Sequence, residues 1–138
     1  MSETETDDEF QIPYGKPGAV RYPRLSLHGS FARRLYGLQM AVGLTRNPIY
    51  QMFGAYAYSI FLDGTSSVPA TPHAVDVAGR IGAIIGQPRD QIVAGATLPP
   101  ASTDVLLDDL KRLERLVSSP FTKAWVRRRI QDIAGGAR

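Results

Sequence analysis

The side chains best equipped for chemistry in this sequence are cationic. Of 16 basic residues, 13 are arginine. Arg33-Arg34 and Arg127-Arg128-Arg129 stand as runs, and Lys16, Arg21, Arg24 and Arg46 share a long stretch with the first pair. From Gln11 through Leu62 that stretch contains no acid. A guanidinium is always charged and presents its donors as a planar fork that matches phosphate oxygens. A basic, acid-free stretch therefore suits a polyanion; the alternative is a solvated surface whose counter-charges lie elsewhere in the fold. Other chemistry is thinly supplied. His28 and His73 are isolated and read as surface or capping residues. Asp108-Asp109 is followed by Lys111, Arg112 and Arg115, so it reads as a salt-bridged helix face. No cysteine is present, which excludes disulfides, thiolate catalysis and cysteine-based metal sites and favours an intracellular setting. There is no glycine-rich phosphate loop, metal-ligand spacing or nucleophile motif. No enzymatic activity and no cofactor are expected.

The elements that must position these arginines read as helices. At 138 residues with 43% hydrophobic content, the chain fits one domain with an appendage. The net charge of +3 hides an asymmetry: Glu3, Glu5, Asp7, Asp8 and Glu9 lie in the first ten residues, which leaves residues 11–138 at +8. That acidic start is no secretory signal. The longest uncharged stretch, Asn47 to Leu62, is 16 residues and contains Asn, Pro, Gln, Gly and Ser. A membrane-spanning helix needs about 20 mostly apolar residues. No membrane span and a cytoplasmic location are expected.

Residues 1–29 read as an acidic tail and a basic, proline-rich, extended arm. Ser30 is placed to cap a helix with an apolar stripe of Phe31, Leu35, Leu38 and Val42, closed by Gly43. Thr45 or Asn47 caps a second, with Ile49, Met52 and Phe53 on its apolar face and Gly54 at its end. "AYAYSIFLDG" forms a third. Thr71-Pro72 opens a fourth with Val75, Ala78, Ile81 and Ile85 on one face, closed by Gly86. "PRDQIVAG" predicts a short fifth. After the linker "ATLPPAS", Leu106, Leu110, Leu113 and Val117 form a stripe, and Ser119-Pro120 begins a last, basic helix.

The "GLT" junction at Gly43-Leu44-Thr45, the leucines Leu35 and Leu38 before it, and Gly54 nine residues after Thr45 together resemble the phage-repressor and Cro (XRE-type) helix-turn-helix family. Ile49 and Phe53 match the apolar positions of its second helix, and "VPATPHAVDVAGRIGAIIGQPRDQIV" resembles its proline-rich loop and last two helices. The resemblance covers residues 30–95 and implies an all-α, five-helix, lambda-repressor-like domain whose partner is double-stranded DNA. It implies that the third helix enters the major groove, presenting Ala55, Tyr56, Ala57 and Ser59 to base edges. Of Tyr56 and Tyr58, the second is expected to face the core. Arg46 and Asn47 fall at the start of helix two, where cations and free backbone N–H groups favour phosphate. Thr65 and Ser66 in "GTSS" offer hydroxyls to further phosphates, Arg33 and Arg34 read as backbone clamps, and Arg21 and Arg24 on the arm suit a minor groove.

Residues 96–138 read as a helical hairpin that buries its leucine stripe against Phe121, Trp125, Ile130 and Ile133. Two uses stay open: dimerisation, or a second DNA-contacting unit carrying Arg127, Arg128 and Arg129. Two heptads supply little dimer affinity, so a monomer on an asymmetric site is favoured over a homodimer. The expected function is transcriptional repression, most like a temperate-phage immunity repressor maintaining lysogeny. A host regulator or antitoxin with a protein partner, and a phage structural or adaptor protein, are the alternatives.

Overall fold

The computed structural model describes residues 9–11, 21–63 and 68–136, with the backbone alone at 9–11, Arg21, Tyr58 and 61–63. Six α-helices account for most of these residues: α1 Gly29–Val42, α2 Arg46–Phe53, α3 Ala55–Asp63, α4 Pro72–Ile85, α5 Thr103–Leu116 and α6 Pro120–Gly136. A two-stranded antiparallel ribbon, β1 Glu9–Gln11 with β2 Arg21–Pro23, precedes them; Phe10 lies opposite Tyr22. The fold is all-α.

Local chemistry explains most helix ends. The Thr71 hydroxyl accepts the Ala74 N–H at 3.1 Å, with Pro72 at the first helical position. Ser102 and Ser119 cap α5 and α6 in the same way. Gly43 and Gly86 close α1 and α4 in the left-handed conformation. The cap of α1 departs from expectation. It is His28, whose Nδ1 accepts the Ser30 N–H at 3.2 Å, while Ser30 lies inside the first turn. The Ser30 hydroxyl is instead bound by the Gln87 side-chain amide at 2.7 Å, which ties α1 to the end of α4.

One core joins the described helices. α4 crosses its centre and buries Ala74, Val77, Ala78, Ile81, Ile84 and Ile85, a wider face than the single stripe expected. α3 and α5 pack on α4, α2 packs on α3 and α5, and α6 packs on α5 and α1. Phe31, Leu44, Ile49, Ile60, Leu110, Leu113 and Val126 are all fully buried in this cluster. Each contributes about 1.5–3 kcal/mol by leaving water.

Three expectations therefore change. Leu25 and Leu27 belong to the core, so the arm is part of the fold from β2 onward: Leu25 N–H bonds the Val68 carbonyl at 3.0 Å and His28 N–H bonds the Ile92 carbonyl at 2.9 Å. The hairpin of α5 and α6 shares that core and does not stand apart from residues 30–95. The expected fifth helix is a single 3-10 turn, Arg89–Gln91. Its continuation is pre-empted, because the backbone of Ile92 and Ala94 bonds the segment at Ser26–His28.

Candidate nucleic-acid interface

α2 and α3 are joined by one residue. Gly54 has φ 80° and ψ −156°, a region essentially closed to residues with a Cβ. Its N–H bonds the Tyr50 carbonyl at 2.7 Å, and its carbonyl accepts the Ala57 N–H at 3.1 Å, so this one residue closes α2 and opens α3. Ile49 and Phe53 of α2 and Ala57 and Ile60 of α3 all point into the core. Their burial fixes which face of each helix is left outside.

That geometry sorts the residues read from sequence. Ala55 is exposed at the start of α3, and Ser59 is half-buried. Tyr56 is half-buried with its ring edge-on to His73, centroids 5.1 Å apart. Ala57 is fully buried, so its methyl is a packing group and is withdrawn from the set of surface contacts. At the start of α2, Arg46 is half-buried and Asn47 exposed. Arg33 and Arg34 are exposed on α1. Arg24 is exposed beside the isolated bridge it makes with Pro69. Both Arg24 and Arg46 also make interactions within the chain. Thr65 and Ser66, and the side chains of Arg21 and Tyr58, lie outside the described residues.

The C-terminal arginines divide into three roles. Arg127 pairs with Glu114 across the α5–α6 hairpin. Arg128 is exposed. Arg129 turns inward: Nε donates to the Ile84 carbonyl at 3.0 Å and Nη2 to the Ala83 carbonyl at 2.8 Å, so it caps the end of α4. Burial lowers its pKa from the ordinary arginine value, with the neighbouring positive charge of Arg34 adding to the effect and Asp132 opposing it. Arg129 is thus a structural residue and is withdrawn as a surface contact. Phe121, expected in the hairpin core, is 79% exposed; Thr122 takes the buried place and its hydroxyl donates to the Val42 carbonyl.

Sequence reasoning missed one polar centre. Arg80 on α4 grips Asp109 on α5 with two bonds, Nε to Oδ2 at 3.0 Å and Nη2 to Oδ1 at 2.7 Å. Asp76 lies 3.5 Å from the same guanidinium, which also sits 5.0 Å above the Phe53 ring of α2. The bond to Asp109 and the two acidic charges raise the Arg80 pKa, against the opposing effect of burial. Asp109 is buried, so Asp108-Asp109 is only half a solvated face. The signal was in the spacing: Leu106, Asp109 and Leu113 are three and four apart, which puts Asp109 on the buried stripe.

Comparison with family models, curated proteins and solved structures returned no match. No helix among the described residues is long and apolar enough to cross a membrane. Among the same residues no group of His, Asp or Glu is arranged to hold a metal ion.

Proposed function

We propose that the protein is a sequence-specific DNA-binding repressor of the helix-turn-helix kind, acting in the cytoplasm by occupying operators and blocking polymerase. A temperate-phage immunity repressor that maintains lysogeny is the form the sequence resembles most. The observation that carries this reading is the folding of the acid-free stretch. Its residues build α1, α2 and α3, with Arg33, Arg34 and Asn47 exposed and Arg46 at the first position of α2. In this reading the N-terminus of α2 takes a phosphate, where Arg46 and free backbone N–H groups converge. α3 lies in the major groove with Ala55, Tyr56 and Ser59 toward base edges. Arg33 and Arg34 clamp the backbone, and Arg128 contacts a further phosphate on a longer, asymmetric site bound by a monomer.

Selecting bound fragments from the parent genome tests the proposal. One enriched sequence is expected, and its lack of a palindrome would match monomer binding. Recovery of fragments without a common sequence would reject a repressor role.

A second reading has its own observation. Tyr36 and Met40 are 65% and 69% exposed one turn apart on α1, and Phe121 projects from the start of α6. Such side chains suit a protein partner, as in an adaptor or antitoxin. In that case the chain co-purifies with a partner and binds random duplex weakly at all salt concentrations.

A further inference from the structure

A cleft of about 550 Å³ opens between α4, the 96–102 linker and the start of α5. That volume falls in the range of small-molecule sites. The space exists because α4 carries Gly79 and Ala83 one turn apart on this side. A Cβ at Gly79 would lie 3.3 Å from the Leu98 side chain, so the opposite wall is already close. Ile92, Leu98 and Val105 are among the other apolar residues of its lining.

The charged groups of the cleft are not equivalent. Arg80 is already paired, by two bonds to Asp109 and by the nearby Asp76 carboxylate. Asp76 is held in turn by Arg80. Arg89 also lines the cleft, is exposed, and its guanidinium has no hydrogen bond or ion pair with any described residue. Its neighbour Asp90 is outside the lining. The Arg89 carbonyl accepts the Leu98 N–H at 3.1 Å, and Leu98 lies against Gly79, so the segment that carries Arg89 folds back along α4. The cleft thus offers an apolar trough with one uncommitted cation in its wall.

We propose that this cleft binds a small carboxylate with an apolar body, an aliphatic or aryl acid. The carboxylate lies on the Arg89 guanidinium as a charge-assisted pair. The hydrocarbon lies along Gly79, Ala83 and Leu98. The inference is independent of DNA binding and uses none of the residues assigned to it.

Titration of the ¹⁵N-labelled full chain with octanoate, with octanol as the uncharged control, tests it. Saturable shifts are expected at the amides lining the cleft, with half-saturation at or below about 1 mM. Octanol is expected to bind at least tenfold more weakly. Arg89→Ala removes an exposed side chain and keeps the backbone bond to Leu98, so it should weaken octanoate at least tenfold and leave octanol unchanged. Ala101→Trp, at the exposed rim, should remove both. Shifts that do not saturate, or that centre on another face, would overturn the proposal. So would octanoate binding that is equal to octanol's or that ignores Arg89→Ala.

Discussion

Arg80 shows how a single residue can set the arrangement of several helices. Its guanidinium joins α4 to α5 through Asp109 and lies over Phe53 of α2. Removing Asp109 takes away both short bonds of the partly buried Arg80 guanidinium and leaves it only the exposed Asp76 as a partner. Asp109→Ala is expected to lower unfolding free energy by about 3 kcal/mol, the low end for buried pairs because Arg80 keeps a third of its exposure. Urea denaturation with an unchanged m-value checks this. The double replacement Arg80→Met, Asp109→Leu is expected to recover most of the loss, since the pair's burial is itself costly. Arg128 and Arg129 make a second contrast. Arg129→Ala deletes two bonds to the last carbonyls of α4 and should cost about 2 kcal/mol of stability, whereas Arg128→Ala should leave stability unchanged. The sequence made the arginine run visible but not this division of roles. Which of three consecutive helical residues turns inward depends on the end of α4, 45 residues away in the chain, and no local pattern encodes that.

The helices themselves were legible where local chemistry decides them. Thr71-Pro72, Ser119-Pro120, Gly43 and Gly86 mark helix ends because a hydroxyl, a missing N–H or a free φ acts within one turn. The fifth helix was misread because residues 92–94 are claimed by the strand-like segment before α1, a long-range bond that overrides local preference. The same competition drew Leu25 and Leu27 from a presumed tail into the core. Two glycines test the element scale. Gly54→Ala must hold a side chain at φ 80°, ψ −156°, with nothing within 4 Å to clash. The cost is conformational alone, about 1–3 kcal/mol, read from thermal unfolding. Gly82→Ala works differently: its Cβ would meet the buried Ile92 side chain at 2.5 Å, so Ile92 must shift. About 1–3 kcal/mol is expected from that overpacking, and Ile92→Val in the same chain should relieve part of it.

For the molecule as a whole, composition and periodicity were sufficient to read an all-α chain. They were insufficient to divide it, because separate stripes on α1, α4 and α5 turn out to share one core. The functional reading belongs to this scale, since it concerns a field and a face rather than one contact. Residues 11–138 carry +8, and Arg33, Arg34 and Arg46 come from the acid-free part. If those three each neutralise a phosphate, log K should fall with log salt at a slope of roughly −3. The most direct measurement is fluorescence anisotropy of a random-sequence duplex titrated with the full chain over a range of salt concentrations. The expected result is that slope or a steeper one, reduced by about 1 in Arg46→Ala with sequence preference unchanged. Weak binding with no dependence on salt would contradict the account.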